Sequence, residues 1–269
     1  MRIGFVLVAL GLALLSPSFQ SSADEGRPPN VVLIVTDDQR WDTLAGMSTL
    51  QSLAARNFTN GYATTPLCCP SRASILTGQY AHHHGVLTNS RDEHGGFWLF
   101  DDQDTLATRL QAAGYRTALV GKYLNEYGDR PSSDTYIPPG WSEWFAFTDR
   151  NPYFGFDVND NGEQRIFTSR DEYATDVLVQ RATAFIRDSG EKPFFLLVTP
   201  SAPHSPAVPA PRHAEVALNL SPWRPPNYSP LDLSAKPDWV RQNGPIDEDK
   251  AEKIDIFRER QIRTLLAVD

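Results

Sequence analysis

The sequence predicts an α/β fold: a mainly parallel central sheet flanked by helices, incomplete at its C-terminal end. Three observations carry that expectation. Val31–Thr36 and Phe194–Thr199 are continuous runs of β-branched, aliphatic and aromatic residues, the pattern of strands buried on both faces. Segments with helical spacing alternate with them along the chain. The 269 residues, 41% hydrophobic and 11% aromatic, suffice for one large domain with a sizeable core.

At the N-terminus, Met1-Arg2 precedes an apolar run from Ile3 to Leu15, then small and polar residues ending Ser21-Ser22-Ala23. This is the layout of a secretory signal peptide cleaved after Ala23, leaving residues 24–269 as the mature chain. The apolar run is too short to span a bilayer, so no stable membrane anchor is expected. The protein is expected to be exported: secreted, periplasmic or lysosomal according to its host. Asn57-Phe58-Thr59, Asn219-Leu220-Ser221 and Asn227-Tyr228-Ser229 fit the acceptor pattern of a glycoprotein.

The first strand, 31–36, ends in Asp37-Asp38-Gln39. Residues 48–56, 71–81 and 104–113 read as helices, the last with Leu106, Leu110 and Ala113 on one face and Gly114 as its stop. A strand follows at 116–120. Residues 153–168 read as a hairpin turning at Asp160-Asn161-Gly162. A helix is expected over 171–187 and a second buried strand over 194–199. From 200 to about 245 the chain is rich in Pro and lacks periodicity, which suits a functional loop or surface excursion. A last helix starts near Ile246 and reaches Asp269 with no Gly, Asn or Pro to end it, which suggests a truncated chain.

Lys+Arg number 25 against Asp+Glu 33, a net charge of −8, and no basic run occurs. That excludes a nucleic-acid-coating protein. An acidic protein that handles an anionic substrate needs local cations, because its overall field repels the ligand. The two cysteines, Cys68 and Cys69, are neighbours, so no disulfide scaffold is expected.

The most informative stretch is Leu67-Cys68-Cys69-Pro70-Ser71-Arg72-Ala73-Ser74-Ile75-Leu76-Thr77-Gly78. Pro70 suits the first turn of a helix and places Cys68 just before its N-terminus, where the dipole and Arg72 stabilise an anion. The residues alone leave two readings open: a low-pKa nucleophilic cysteine, or a buried structural pair. Cys-x-Pro-Ser-Arg followed by Leu-Thr-Gly resembles the hallmark of the type I sulfatases, members of the alkaline-phosphatase-like superfamily. In that family a separate formylglycine-generating enzyme oxidises the first cysteine to 3-oxoalanine, or formylglycine; the resemblance puts it at Cys68. The double Cys, with Gly121-Lys122-Tyr123-Leu124-Asn125-Glu126-Tyr127-Gly128, looks most like the glucosamine-6-sulfatase branch.

The resemblance implies further roles. Asp37 and Asp38, two hard carboxylates at a strand end, would bind Ca²⁺, with Gln39 beside them and Cys68 contributing once converted. Lys122 and His204, each just past a strand, would contact the sulfate group, and Lys122 and Arg72 would hold the developing negative charge. One hydroxyl of hydrated formylglycine would attack sulfur and the other would expel sulfate. Many relatives have His two residues after the Lys; here that place is Leu124, with Asn125 beside it as a substrate contact. Among His82, His83 and His84, a pocket-lining role falls to His84. Asp157 to Glu163 loosely echoes a calcium loop, but a hairpin turn is the better reading. Relatives complete the metal site with residues downstream of the last helix, so the chain reads as the N-terminal portion of a catalytic domain.

The expected function is therefore removal of sulfate from sulfated sugars of the glucosamine-6-sulfate type, as in glycosaminoglycan degradation. Two alternatives stand beside it. One is an arylsulfatase or a phosphodiester or phosphonate hydrolase of the same superfamily. The other is an inactive, truncated glycan-binding product.

Overall fold

The computed structural model describes residues 27–53, 56–129, 134–148, 152–229, 232–243 and 245–269, so the expected signal peptide lies outside the described residues. In chain order the elements are β1 (Val31–Ile34), α1 (Ser48–Leu53), α2 (Cys68–Thr77), α3 (Ala81–His84), α4 (Leu106–Ala112), β2 (Arg116–Gly121), β3 (Glu143–Phe147), β4 (Phe156–Asp160), β5 (Glu163–Phe167), α5 (Ala174–Asp188), β6 (Phe194–Thr199), α6 (Pro211–Ala214), α7 (Asp238–Arg241) and α8 (Glu248–Val268). The strands form one sheet in the order β1-β6-β2-β3-β4-β5. The first four run parallel, with Val31 opposite Phe195 and Arg116 opposite Phe194; β4 and β5 join antiparallel.

Alternation along the central strands builds a core on each face. Leu119 of β2 and Phe195 and Leu197 of β6 pack with Cys69, Ala73 and Leu76 of α2 and Ala107 of α4. Ala118, Val120, Phe194 and Leu196 point the other way, onto Ala174, Leu178, Ala182 and Phe185 of α5. Side chains two apart on a strand share a face, so β2 and β6 bury both faces, as their apolar runs predict.

Among the described residues β1 pairs with β6 alone, and Val31, Val32 and Ile34 are 38%, 48% and 58% exposed. β3 is a strand to which the sequence reading assigns no element; its Glu-Trp-Phe-Ala-Phe run is short but buried from Trp144 onward. The helix expected over 71–81 is split, because Gly78 takes a left-handed conformation (φ +70) and closes α2 at Thr77. The hairpin turns at Asn161-Gly162, both with positive φ, the pattern of a tight two-residue turn. Asp160 there accepts from Arg165 and Arg181, committing it to the hairpin and not to a metal. The last helix begins two residues later than the expected start near Ile246, because Asp247 caps α8 by accepting from the Lys250 N–H.

Candidate active site

The parallel strands deliver their carboxyl ends to one edge of the sheet, where ligand sites of open α/β sheets lie. Asp37 follows β1, Lys122 follows β2 and His204 follows β6. The strands close tightly there. Gly121 (φ +123) lies against Thr199, and a Cβ on it would sit 2.2 Å from the Thr199 carbonyl oxygen. Lys122 N–H then donates to that same carbonyl at 2.8 Å. A glycine before the lysine is what lets β2 and β6 bring Lys122 into the site.

Helix α2 supplies the rest, and its periodicity separates the two cysteines. Cys69, Ala73 and Leu76 recur at helical spacing and enter the core. Cys68, Ser71 and Arg72 form the opposite face and line a cleft of about 280 Å³ together with Asp37, Asp38 and Gln39. Cys69 is fully buried, burial pushes its thiol up to about 12, and its backbone N–H donates to Asn89 Oδ1 at 2.9 Å. Cys68 is half-buried at the first position of the helix, where unsatisfied N–H groups favour an anion. Its position is one residue further into the helix than the sequence reading has it.

The charges around Cys68 are densely paired. Asp37 is 4% exposed, and Lys122 Nζ donates to its Oδ2. Arg72 Nη2 stands 3.9 Å from the same oxygen, while Arg72 Nη1 donates to the Lys122 carbonyl at 2.8 Å. Burial lowers the Arg72 pKa, opposed by the Asp37 carboxylate, yet a guanidinium keeps its charge in proteins. His204 Nδ1 meets the Ser205 carbonyl at 2.7 Å, and its Nε2 lies 3.5 Å from Asp38 Oδ2. The His204 pKa is raised, first by its hydrogen bond to Cys68, against the effect of partial burial.

Ligand atoms of Asp37, Cys68 and His204 all lie within 4.8 Å of one another. Asp38 (φ +61, side chain 51% exposed) adjoins His204 but stands outside that trio. Two carboxylates at a tight turn, one buried and one open to solvent, fit a hard divalent cation in donor type. They supply part of the roughly six to eight oxygens that calcium takes. His204 joins the grouping although the sequence reading gives it only a sulfate-contacting role.

The remaining candidates separate. Asn125 lines a second cleft, of about 320 Å³, shared with Lys122. Leu124, at the place where many relatives have His, is 3% exposed and packs into the core. His84 turns toward α2, with Nε2 3.1 Å from Ser74 Oγ and Nδ1 accepting from Val86 N–H, and lines neither cleft. His82 and His83 are exposed and pack on each other. Gln39 donates to Thr43 Oγ1 at 3.2 Å and braces the turn after Asp38.

Comparisons with known proteins agree with this layout. A family model described as Sulfatase matches residues 29–227. An extracellular sulfatase SULF-1 homologue of Drosophila melanogaster is 34% identical over 268 residues, 94% of this chain and 23% of that protein. N-acetylglucosamine-6-sulfatase of Homo sapiens is 34% identical over 258 residues, 90% of this chain and 46% of its own. The chain thus spans less than half the length of either relative. A solved structure of a protein in complex with its substrate D-glucosamine-2-N,6-O-disulfate superposes with a TM-score of 0.58 at 30% identity, covering 69% of this chain and 36% of that one. Since the family model alone takes in most of the described sheet and every residue of the cluster around Cys68, the chain belongs to the sulfatase family.

Proposed function

We propose that the protein is a sulfuric ester hydrolase that removes sulfate from sulfated sugars of the glucosamine-6-sulfate type, acting from Cys68 after its conversion to formylglycine. The observation that carries this reading is the convergence of Cys68, Asp37 and His204 within 4.8 Å, beside two buried cations. The cations answer the charge problem posed by a net −8 protein with an anionic substrate.

In this reading formylglycine at position 68 supplies an oxygen nucleophile that cysteine cannot, and Ca²⁺ held by Asp37 and Asp38 supplies Lewis-acid polarisation of sulfate oxygens. The chain's own residues do the rest. Arg72, fixed by its bond to the Lys122 carbonyl, keeps a permanent positive charge against the site. Lys122 presents an ammonium at the same edge and binds the sulfate oxygens. His204, oriented by the Ser205 carbonyl, points Nε2 at residue 68 and Asp38, where it holds or passes a proton. Cys69 is fully buried, so of the two cysteines Cys68 is the one that faces the cleft.

In this account the segment 1–23 directs export, and residues 24–269 belong to a sulfatase catalytic domain. None of the described helices is long and apolar enough to cross a membrane. Asn57, Asn219 and Asn227 are exposed and open to glycosylation in a host that performs it. The test is coexpression with a formylglycine-generating enzyme, followed by assays on 4-nitrophenyl sulfate, glucosamine 6-sulfate and a phosphonate monoester with added calcium. Sulfate-ester turnover that disappears in Cys68→Ala supports the reading. A preference for the phosphonate, or no turnover with Cys68 converted, overturns it.

A further inference from the structure

We infer that, while residue 68 is still cysteine, Cys68, His204 and Asp37 form a site for a thiolate-binding divalent metal of the zinc type, and that conversion of Cys68 ends it. The inference goes beyond the sulfatase reading, because it concerns the chain as translated and requires no turnover. Donor chemistry supports it first. The ligand atoms of the three residues lie within 4.8 Å of one another. Tetrahedral zinc, with bonds of about 2.0–2.3 Å, places its ligand atoms about 3.3–3.6 Å apart, a shift that side-chain adjustment supplies. Sulfur and imidazole nitrogen suit zinc, whereas calcium takes oxygen.

His204 is already set for the role. Its Nδ1 stands 2.7 Å from the Ser205 carbonyl, and a carbonyl only accepts, so Nδ1 carries a hydrogen. The neutral ring then turns its Nε2 lone pair toward Cys68 and Asp38. Zinc-bound histidines have this arrangement, the other ring nitrogen donating to a carbonyl or carboxylate. Cys68 opens α2, where unsatisfied N–H groups favour a thiolate, and it lines the cleft with Asp37 and Asp38. On binding, the S–H bond breaks, its electron pair forms the Zn–S bond and the proton leaves to solvent.

The charges also permit it. Asp37 holds Lys122 through Oδ2 and has a second oxygen to offer a metal. The Cys68 thiolate, Asp37 and Asp38 outnumber Lys122 and Arg72, so a dication meets net negative charge. Asp38 Oδ2, 3.5 Å from His204 Nε2, or a water completes the fourth position. Formylglycine removes the sulfur donor, and the oxygen-rich set that remains suits a hard cation.

The test uses the full chain made without a maturation enzyme, its thiol at position 68 verified by mass, and titrates it with Co²⁺ as a spectroscopic substitute for Zn²⁺. Sulfur-to-cobalt charge-transfer absorption should appear, and Zn²⁺ should erase it. His82 and His83, exposed on α3, give no sulfur band even if they take up cobalt. Cys69→Ala should keep the band and Cys68→Ser should abolish it. His204→Ala should weaken cobalt binding by at least the roughly tenfold to hundredfold that losing even a ligand's hydrogen-bond partner costs. Circular dichroism checks that the variants fold. Coexpressed protein with formylglycine verified at position 68 should show no band. No band in the thiol form, a band in Cys68→Ser or in converted protein, or an affinity unmoved in His204→Ala overturns the inference. Turnover of 4-nitrophenyl sulfate by the converted protein is measured separately. A band without turnover refutes only the sulfatase reading, and turnover without a band in the thiol form refutes only the metal site.

Discussion

The ammonium of Lys122, at the end of β2, donates to the buried carboxylate of Asp37, at the end of β1, across β6, which lies between those two strands. The pair joins elements that share no hydrogen-bonded edge, and it fixes the geometry of the site before any ligand arrives. Removing one member leaves the other charged and buried.

Lys122→Met should therefore destabilise the protein by about 3 kcal/mol in calcium-free buffer. Asp37→Asn should cost a similar amount, and the double variant clearly less than the two together. Urea denaturation of the four proteins measures the coupling. Additive losses would show that the pair does not act as a unit.

The two cysteines should separate cleanly. Cys68→Ala should abolish turnover and leave the unfolding midpoint nearly unchanged, since Cys68 faces the cleft. Cys69→Ala should keep Cys68 convertible and lose about 1 kcal/mol, through the small cavity left in the α2 packing. Mass analysis and thermal melts read both effects. The reverse pattern would mean that the helix presents the other cysteine.

Calcium should bind the folded chain and raise its melting temperature in a concentration-dependent way. Chelator should reverse the shift, and Asp37→Asn should remove it. A shift that survives Asp37→Asn would place the ion elsewhere.

Acid should loosen the contact between α8 and α1. Burial raises the Asp269 pKa, but the N–H groups of Leu50 and Thr49 and the Ser48 and Thr49 side chains outweigh it, for a net lowering. The Asp269 carboxylate accepts from Thr49 and Leu50 N–H at 2.9 and 2.8 Å and so caps α1. A lowered folded pKa gives stability that is present above the unfolded carboxylate value and lost as pH falls through the folded one. Asp269→Ala should cost about 0.5–1 kcal/mol at neutral pH, and the difference from the parent should shrink in acid. Denaturant midpoints across that range test it; a difference independent of pH would assign the effect to packing.

Much of this architecture was legible because the central strands announce themselves. The apolar runs of β2 and β6, the amphipathic α5 and the Asn161-Gly162 turn each follow from local pattern. The choice between the two cysteines came from the resemblance, not from local pattern; the core contacts of Cys69, Ala73 and Leu76 appear only in the fold. What local pattern does not reveal is neighbourhood. Nothing near Asp269 says that it caps a helix 220 residues away. The His204 contact with Asp38 arises only when the ends of β1 and β6 meet. β3 is a different case: its aromatic run carries a strand signal, but five residues between Gly140 and Asp149 are easily passed over.

The central claim, that chemistry starts from Cys68, is tested most directly by the mass of the tryptic peptide Asn57–Arg72 from catalytically active protein. The account predicts an aldehyde at position 68, trapped by hydrazine, beside an alkylated thiol at Cys69. Two alkylated thiols in a sample that hydrolyses sulfate esters, or an aldehyde at position 69, would contradict it.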